Sequence, residues 1–307
     1  MIGKGEVNQS MIASFLTMYI HRSVTSAELD GFRSALLSLC NSVDFSDFET
    51  IDLCGTGGDG KNTFNVSTIS SFVCAAAGVK VSKHGNYGVS SSVGSSNVIE
   101  SLGYKFSTNQ DQLKRELDQA GITFLHAPLF HPAMKHVAPV RKELGMKTFF
   151  NLLGPMVNPS RPQKQVVGVY SEKHVPLYAA VLDKFINEYA VVHSLDGYDE
   201  ISLTGKFLVQ TKKGEKKYAP KELGLSTTLQ SEIHGGDTLE QASSILHSII
   251  SGKGTKAQNE VIAANAGLAI SIAKDISFEN GIAEAKEIIQ SGKAALVLKK
   301  LLEINKA

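Results

Sequence analysis

No charge of one sign dominates this chain: 31 basic and 30 acidic residues among 307 leave a formal net charge of +1. No long-range field therefore draws it to nucleic acid or to an anionic membrane, and any anion site has to be built locally. Cysteine is scarce. Cys40, Cys54 and Cys74 are an odd number without metal-like spacing, which argues against a disulfide framework and fits a reducing compartment, the cytoplasm. No apolar run approaches the roughly 20 residues needed to cross a bilayer, and residues 1–10 lack the apolar core of an export signal. The expected protein is neither exported nor embedded. Internal repeats, low-complexity tracts and long flexible linkers are also missing. What is present is 42% apolar and 20% charged residues, ample for one large domain with a smaller companion.

Asn8 can cap a helix that carries Ile12, Phe15, Leu16 and Tyr19 on one side. Thr25 with Glu28 forms a capping box for a second helix buried through Leu29, Phe32, Leu36 and Leu39. The character changes at Glu49. Residues 51–54 read as a short buried strand, followed by a glycine loop and a helix over about 68–77 that Gly78 ends. Residues 79–81 complete a βαβ unit, and further strands are expected at 122–125, 166–170 and 190–193, with a helix-rich tail from about Thr238. Such alternation predicts an α/β fold with a mainly parallel central sheet flanked by helices. The opening helices are expected to form a small helical domain, residues 1–48, with a returning helical segment at about 130–152. Residues 49–307 would form the large α/β domain.

The richest segment is Gly55-Thr56-Gly57-Gly58-Asp59-Gly60-Lys61-Asn62-Thr63-Phe64-Asn65-Val66-Ser67-Thr68. Glycines let backbone N–H groups converge on an anion without Cβ clashes, and the following helix start adds orphan donors and a positive dipole end. An isolated glycine pair would be an ordinary tight turn. Four glycines with Asp59 and Asn65 in one strand-to-helix turn read as a phosphate cradle. One strand later comes Lys83-His84-Gly85-Asn86-Tyr87-Gly88-Val89-Ser90-Ser91-Ser92-Val93-Gly94-Ser95. Lys83 offers this loop a cation and the serines offer donors, although a serine run alone would be a solvated loop. In an open α/β sheet, however, ligands bind outside the carboxyl ends of strands, so both loops should border one crevice.

Gly55-Thr56-Gly57-Gly58-Asp59, Asn65-Val66-Ser67-Thr68 and Lys83-His84-Gly85-Asn86 together resemble the signature of the anthranilate phosphoribosyltransferases. The 131–145 segment is similar to that family's substrate-side stretch, residues 148–159 to its Asn-Leu-Leu-Gly-Pro region, and Asp196-Gly197-Tyr198-Asp199-Glu200 to its acidic metal motif. Gly235-Gly236-Asp237 continues the likeness, which spans nearly the whole chain. The resemblance implies the nucleoside phosphorylase type II fold, dimerised through the small helical domain, and transfer of the phosphoribosyl group of phosphoribosyl diphosphate to anthranilate in tryptophan biosynthesis. It implies that Gly55, Gly58, Asp59, Thr63, Asn65, Val66, Ser67, Thr68, Lys83, His84, Gly85, Asn86, Ser90, Ser91 and Ser95 hold phosphoribosyl diphosphate. Gly55, Asn86 and Arg141 would contact anthranilate. Ser67, Asp199 and Glu200 would hold Mg²⁺, two ions per site, and no protein nucleophile or base is implied.

Taken singly, Asp199-Glu200 would be a solvated turn and Arg141 a surface cation. A diphosphate leaving group needs its charge neutralised, however, and Mg²⁺ favours one or two carboxylates plus phosphates and water. A partly buried guanidinium suits a carboxylate substrate. His126, His131 and His136 are expected to pack or hydrogen-bond around the substrate entry, and Cys54 and Cys74 to be small core residues. Departures from the family pattern are Tyr87 for Arg, Ser92 for Lys, Asn97 for Asp, a histidine at 126 where an apolar residue is usual, and a shortened opening before Gly5. Two rivals remain: a same-fold glycosyl transferase with another acceptor, such as a pyrimidine nucleoside phosphorylase, and a retired homologue that binds nucleic acid. The glycine loop fits the first poorly. Near-zero charge argues against the second, since the small basic run at 211–217 reads as a hairpin turn.

Overall fold

The structure, a computed structural model, describes residues 1–88 and 93–306. Ser90 and Ser91, two of the expected phosphoribosyl residues, lie outside the described residues, as does Ser92. In chain order the elements are α1 (Gln9–His21), α2 (Ser26–Ser38), β1 (Thr50–Gly55), α3 (Val66–Ala76), β2 (Lys80–Gly85), α4 (Ser95–Ser101), α5 (Gln110–Ala120), β3 (Ile122–His126), α6 (Ala127–Phe130) and α7 (Ala138–Leu144). They continue with α8 (Phe150–Leu153), β4 (Lys164–Gly168), α9 (His174–Leu182), β5 (Glu188–Ser194), β6 (Phe207–Thr211), β7 (Gly214–Tyr218), α10 (Leu239–Ile250), α11 (Lys256–Lys274), α12 (Phe278–Ser291) and α13 (Lys293–Lys306).

Both opening caps form as the sequence predicts. Asn8 accepts from the Met11 N–H, and Thr25 and Glu28 bond reciprocally. Several bounds differ, three of them with a clear cause. Helix α3 begins at Val66, two residues early, because Ser67 and Thr68 occupy its first turn rather than preceding it. Strand β2 runs on to Gly85, since residues 82–85 pair in register with β3. Strand β4 begins at Lys164, where its pairing to β1 starts.

The sheet order is β3-β2-β1-β4-β5-β6-β7. Strands β1 to β5 pair in parallel, and β6 and β7 extend the sheet antiparallel as a hairpin. Period-two alternation assigns side chains to opposite faces. Ala190 and Val192 of β5 join Ile51, Leu53 and Val166 in the core beneath α3 and α10 to α13. Tyr189 and Val191 join Val167 in a second core with Ile12, Leu16, Leu29, Val140, Phe149 and Tyr178. Helices α1 and α2 thus pack with α7, α8 and α9 on one face of the sheet. A sheet covered on both faces explains why its central strands read as apolar runs.

Helix α11 is buried from Val261 to Ser271 and pairs with α12 at very short range, because glycines face each other: a Cβ on Gly281 would lie 2.1 Å from the Gly267 carbonyl oxygen. Among the described residues no single helix is long and apolar enough to cross a membrane. The chain turns first to β2 and β3 on one side of β1, then to β4 and β5 on the other. The topological switch point therefore falls between β1 and β4, where open α/β sheets carry their ligands.

Candidate active site at the switch point

The carboxyl ends of β1 and β4 are both glycine, and a residue from beyond β5 lies across them. A Cβ on Gly55 would sit 2.4 Å from Asp199 Oδ2, and one on Gly168 only 1.4 Å from the Asp199 carbonyl oxygen. Glycine at both ends is what lets the 196–200 turn lie down over the sheet. Gly168 has no counterpart in the sequence reading, because nothing around it marks a close approach between segments 31 residues apart.

From Gly55 the phosphate-type loop turns back under Asp199. The Gly57 N–H donates to Asp199 Oδ2 at 2.6 Å and the Thr56 N–H to the Gly168 carbonyl at 2.9 Å. Gly57, Gly58 and Gly60 all have left-handed backbone, with φ of +64°, +76° and +74°, which side-chain-bearing residues adopt at a cost. The loop's far side is pinned to the 233–236 segment. The Phe64 N–H donates to the Ile233 carbonyl, the Gly235 N–H to the Asn62 carbonyl, and Asn62 Nδ2 to the Gly236 carbonyl.

Three carboxylates converge here: oxygens of Asp59, Asp199 and Glu200 lie within 4.8 Å of one another. Burial, then the Asp199 charge, pushes the Asp59 carboxyl up to about 6. Burial also raises Asp199, and burial with the neighbouring acids raises Glu200 well above its ordinary value. Glu200 Oε1 is buried without a hydrogen bond of good geometry, as are Thr56 Oγ1 and Thr63 Oγ1 beside the loop. Such a cluster is short of positive charge, and its all-oxygen donor set fits a hard divalent cation such as Mg²⁺. Asp59 belongs to the cluster by geometry, whereas the resemblance implied only a phosphoribosyl contact. Behind Glu200, Asn265 of α11 clamps the turn: its Oδ1 accepts from the Ile201 N–H at 3.0 Å and its Nδ2 donates to the Ile201 carbonyl at 2.8 Å. Sequence reading missed Asn265, the one polar residue in the otherwise apolar 261–270 stretch of α11.

The expected cation of the second loop is placed differently from its sequence reading. Lys83 lies inside β2, buried, with Nζ donating to the Leu53 carbonyl at 2.6 Å and to Ser67 Oγ at 3.2 Å. It therefore meets the site from beneath, through Ser67. Burial lowers its pKa while the Asp52 charge opposes that shift. Asp52 in turn accepts from Asn158 Nδ2 and from the His84 N–H. His84 is held neutral, down to about 3 by burial. Thr68 is also fully buried. Nearer the rim, the exposed Asn86 accepts at its carbonyl from the Ser96 N–H and from Ser95 Oγ. A Cβ on Gly85 would meet Ser95 Oγ at 2.6 Å. Asn65 Nδ2 reaches the Val93 carbonyl at 3.4 Å, joining the two loops.

Arg141 stands on α7, half-buried, with Nη2 3.4 Å from Asn151 Oδ1 and its guanidinium 5.4 Å from the Phe150 ring centre. Burial lowers its pKa. His126 bonds Ser96 Oγ at 2.9 Å, while His131 is buried edge-on to His84. Cys74 is a core residue as expected. Cys54, the penultimate residue of β1, is only partly buried; it packs against the second core and its Sγ accepts from Gln165 Nε2 at 3.5 Å.

Residues 47–295 match the family described as "Glycosyl transferase family, a/b domain". An anthranilate phosphoribosyltransferase of Flavobacterium psychrophilum is 54% identical over 99% of this chain and 92% of its own length. The crystal structure of the anthranilate phosphoribosyltransferase from Thermus thermophilus superposes with a TM-score of 0.95 at 33% identity, covering 100% of this chain and 93% of that one. The Saccharomyces cerevisiae enzyme in complex with PRPP and Mg has a TM-score of 0.89 at 29% identity, covering 97% and 85%, and the same enzyme is also known in complex with 4-fluoroanthranilate. By sequence and by fold, this chain belongs to the anthranilate phosphoribosyltransferase family.

Proposed function

We propose that the protein transfers the 5-phosphoribosyl group of phosphoribosyl diphosphate to the amine of anthranilate, releasing diphosphate, as a step of tryptophan biosynthesis. The observation that carries this reading is the meeting, at one switch point, of a left-handed glycine loop with three carboxylates short of counter-charge. The yeast relative's complex with PRPP and Mg supports it. Backbone N–H groups of the 55–65 loop, with Thr63, Asn65, Ser67 and Ser95, bind the phosphates. Gly55, Asn86 and Arg141 orient anthranilate, the guanidinium taking its carboxylate. Asp199 and Glu200, with Ser67 and Asp59 beside them, would hold Mg²⁺, two ions per site, which supply charge neutralisation for the departing diphosphate.

An aromatic amine is neutral at physiological pH, so it needs no protein base to become a nucleophile. Its nitrogen bonds to C1 of the ribose as the C1–O bond to diphosphate breaks, and the amine proton passes to solvent. The chain's own contribution is to align the two substrates and to present donors where negative charge grows. Residues 1–48 with 130–152 act as the small helical domain. Met11 and Met18, exposed on α1, mark the face through which we expect a cytoplasmic homodimer.

The test mixes protein, phosphoribosyl diphosphate, Mg²⁺ and anthranilate and follows the loss of anthranilate fluorescence. Magnesium-dependent loss that Arg141→Ala slows is expected. No loss from folded protein would overturn the reading.

A further inference from the structure

Besides Arg141, a second cation at the site belongs to neither loop. Lys147 lies between α7, which carries Arg141, and α8, and its Nζ donates to the Gly58 carbonyl while standing 4.4 Å from the Tyr170 ring centre. The segment it extends from is firmly seated. Phe149 stacks on Phe32 at 4.3 Å and on Phe150 at 4.7 Å, and meets Phe15 and Tyr19 edge-on. Asn151 Oδ1 accepts both from the Thr148 N–H at 3.0 Å and from Arg141 Nη2. A rigid aromatic foot, the acceptor-side guanidinium and the reach to the glycine loop thus lie within eleven residues.

The carbonyl that Lys147 holds is well chosen. Gly58 is left-handed and lacks a side chain, so its peptide can turn over at little cost. In a planar trans peptide the Asp59 N–H points opposite to the Gly58 carbonyl. Fixing that carbonyl on Lys147 therefore fixes which way the Asp59 amide faces, and Asp59 is one of the three converging carboxylates.

We propose that Lys147 is a positioning residue that ties the phosphate loop to the acceptor-side segment, keeping the Gly58–Asp59 peptide in its binding orientation. The proposal deepens the function given above and rests on it. Lys147 is exposed, so Lys147→Met, which keeps the stem, leaves folding intact.

Two readouts test it. In unliganded protein, hydrogen exchange of residues 55–63 should speed up in Lys147→Met while the 149–153 amides stay unchanged, a result that does not depend on any reaction. In turnover, KM for phosphoribosyl diphosphate should rise about tenfold, the order of one charged hydrogen bond, with melting temperature unchanged and Lys147→Arg restoring most of the loss. Unaltered exchange in the loop, a wild-type KM, or activity lost in step with melting temperature would each overturn the proposal. The exchange difference between Lys147→Met and wild type, seen together with a wild type that turns over no anthranilate, would instead sink the functional reading and leave the strap standing.

Discussion

Replacing Gly168 with alanine tests whether the floor of the site is built by close approach. The new Cβ would lie 1.4 Å from the Asp199 carbonyl oxygen and 2.5 Å from its carbon. Ordinary contact begins above 3 Å, so the 196–200 turn has to lift by well over an ångström or β4 has to drop into its core. Overpacking of this kind costs about 1–3 kcal/mol, a fall of several degrees in melting temperature for a chain of this size. The larger effect is on chemistry, because a displacement of about 1 Å in reacting geometry costs on the order of a hundredfold in rate. Lifting the turn moves Asp199 and Glu200 away from Asp59 and breaks the bond from the Gly57 N–H. The assay is turnover across a Mg²⁺ titration beside a thermal melt, with Gly205→Ala as control, since a Cβ there meets nothing within 4 Å. Turnover should fall about a hundredfold and the Mg²⁺ requirement should rise. Wild-type turnover at the wild-type Mg²⁺ concentration would refute the reasoning.

Asn265→Leu removes the clamp on Ile201 and strands a buried N–H and carbonyl, at about 1–3 kcal/mol for each group; turnover should drop more than denaturant midpoint implies, and a matched loss of both would reduce Asn265 to a structural residue. Gly281→Ala drives a Cβ to 2.1 Å from the Gly267 carbonyl and should lower the melting temperature while KM for both substrates holds; an unchanged melt would show that α11 and α12 can separate freely. Asp59, raised from 3.8 to about 6, binds its proton more tightly folded than unfolded, so this group's contribution to stability falls as pH rises from about 4 through 6. The buried His84 and His174, lowered to about 3 and 4, act in the opposite sense, so the carboxyl is read as the difference between Asp59→Asn and wild type. That variant should be relatively more stable than wild type at pH 7.5, equal near pH 4, and gain less from added Mg²⁺; a difference independent of pH would contradict the cluster's electrostatics.

Local signals were legible in the sequence where a few neighbouring residues determine the outcome. The two caps, the glycine loop and the 207–218 hairpin depend on spacing within about a dozen positions, the βαβ unit on consecutive elements over residues 50–85, and each forms. Positions whose role comes from contacts between distant segments were not legible. Gly168 is indistinguishable from any strand-end glycine until Asp199, 31 residues later, lies across it. Lys83 reads as a loop cation because its strand looks short, yet pairing of residues 82–85 with β3 carries it into the sheet and turns its charge onto Ser67. Asn265 and Lys147 carry no motif at all, and only the packing of α11 and of the 145–151 segment shows what each one holds.

The departures around the second loop gain a physical sense once they are seen together. Asn97 Oδ1 accepts from the N–H groups of both Gly88, at 3.1 Å, and Gly94, at 3.0 Å, so one side chain ties these two glycines together. An aspartate there would make the same two bonds and add an anion beside the site proposed for diphosphate. Tyr87 stands where the resemblance implies Arg, and it brings a ring and a hydroxyl in place of a cation. Its ring lies 4.6 Å edge-on to His126 and its hydroxyl reaches Glu100 at 3.3 Å. His126, itself a departure, stacks on Phe106 at 4.5 Å and bonds Ser96 at 2.9 Å. Against the pattern that the resemblance implies, Tyr87 for Arg and Asn97 for Asp remove one positive and one negative charge, and in this chain ring contacts and amide hydrogen bonds hold these positions.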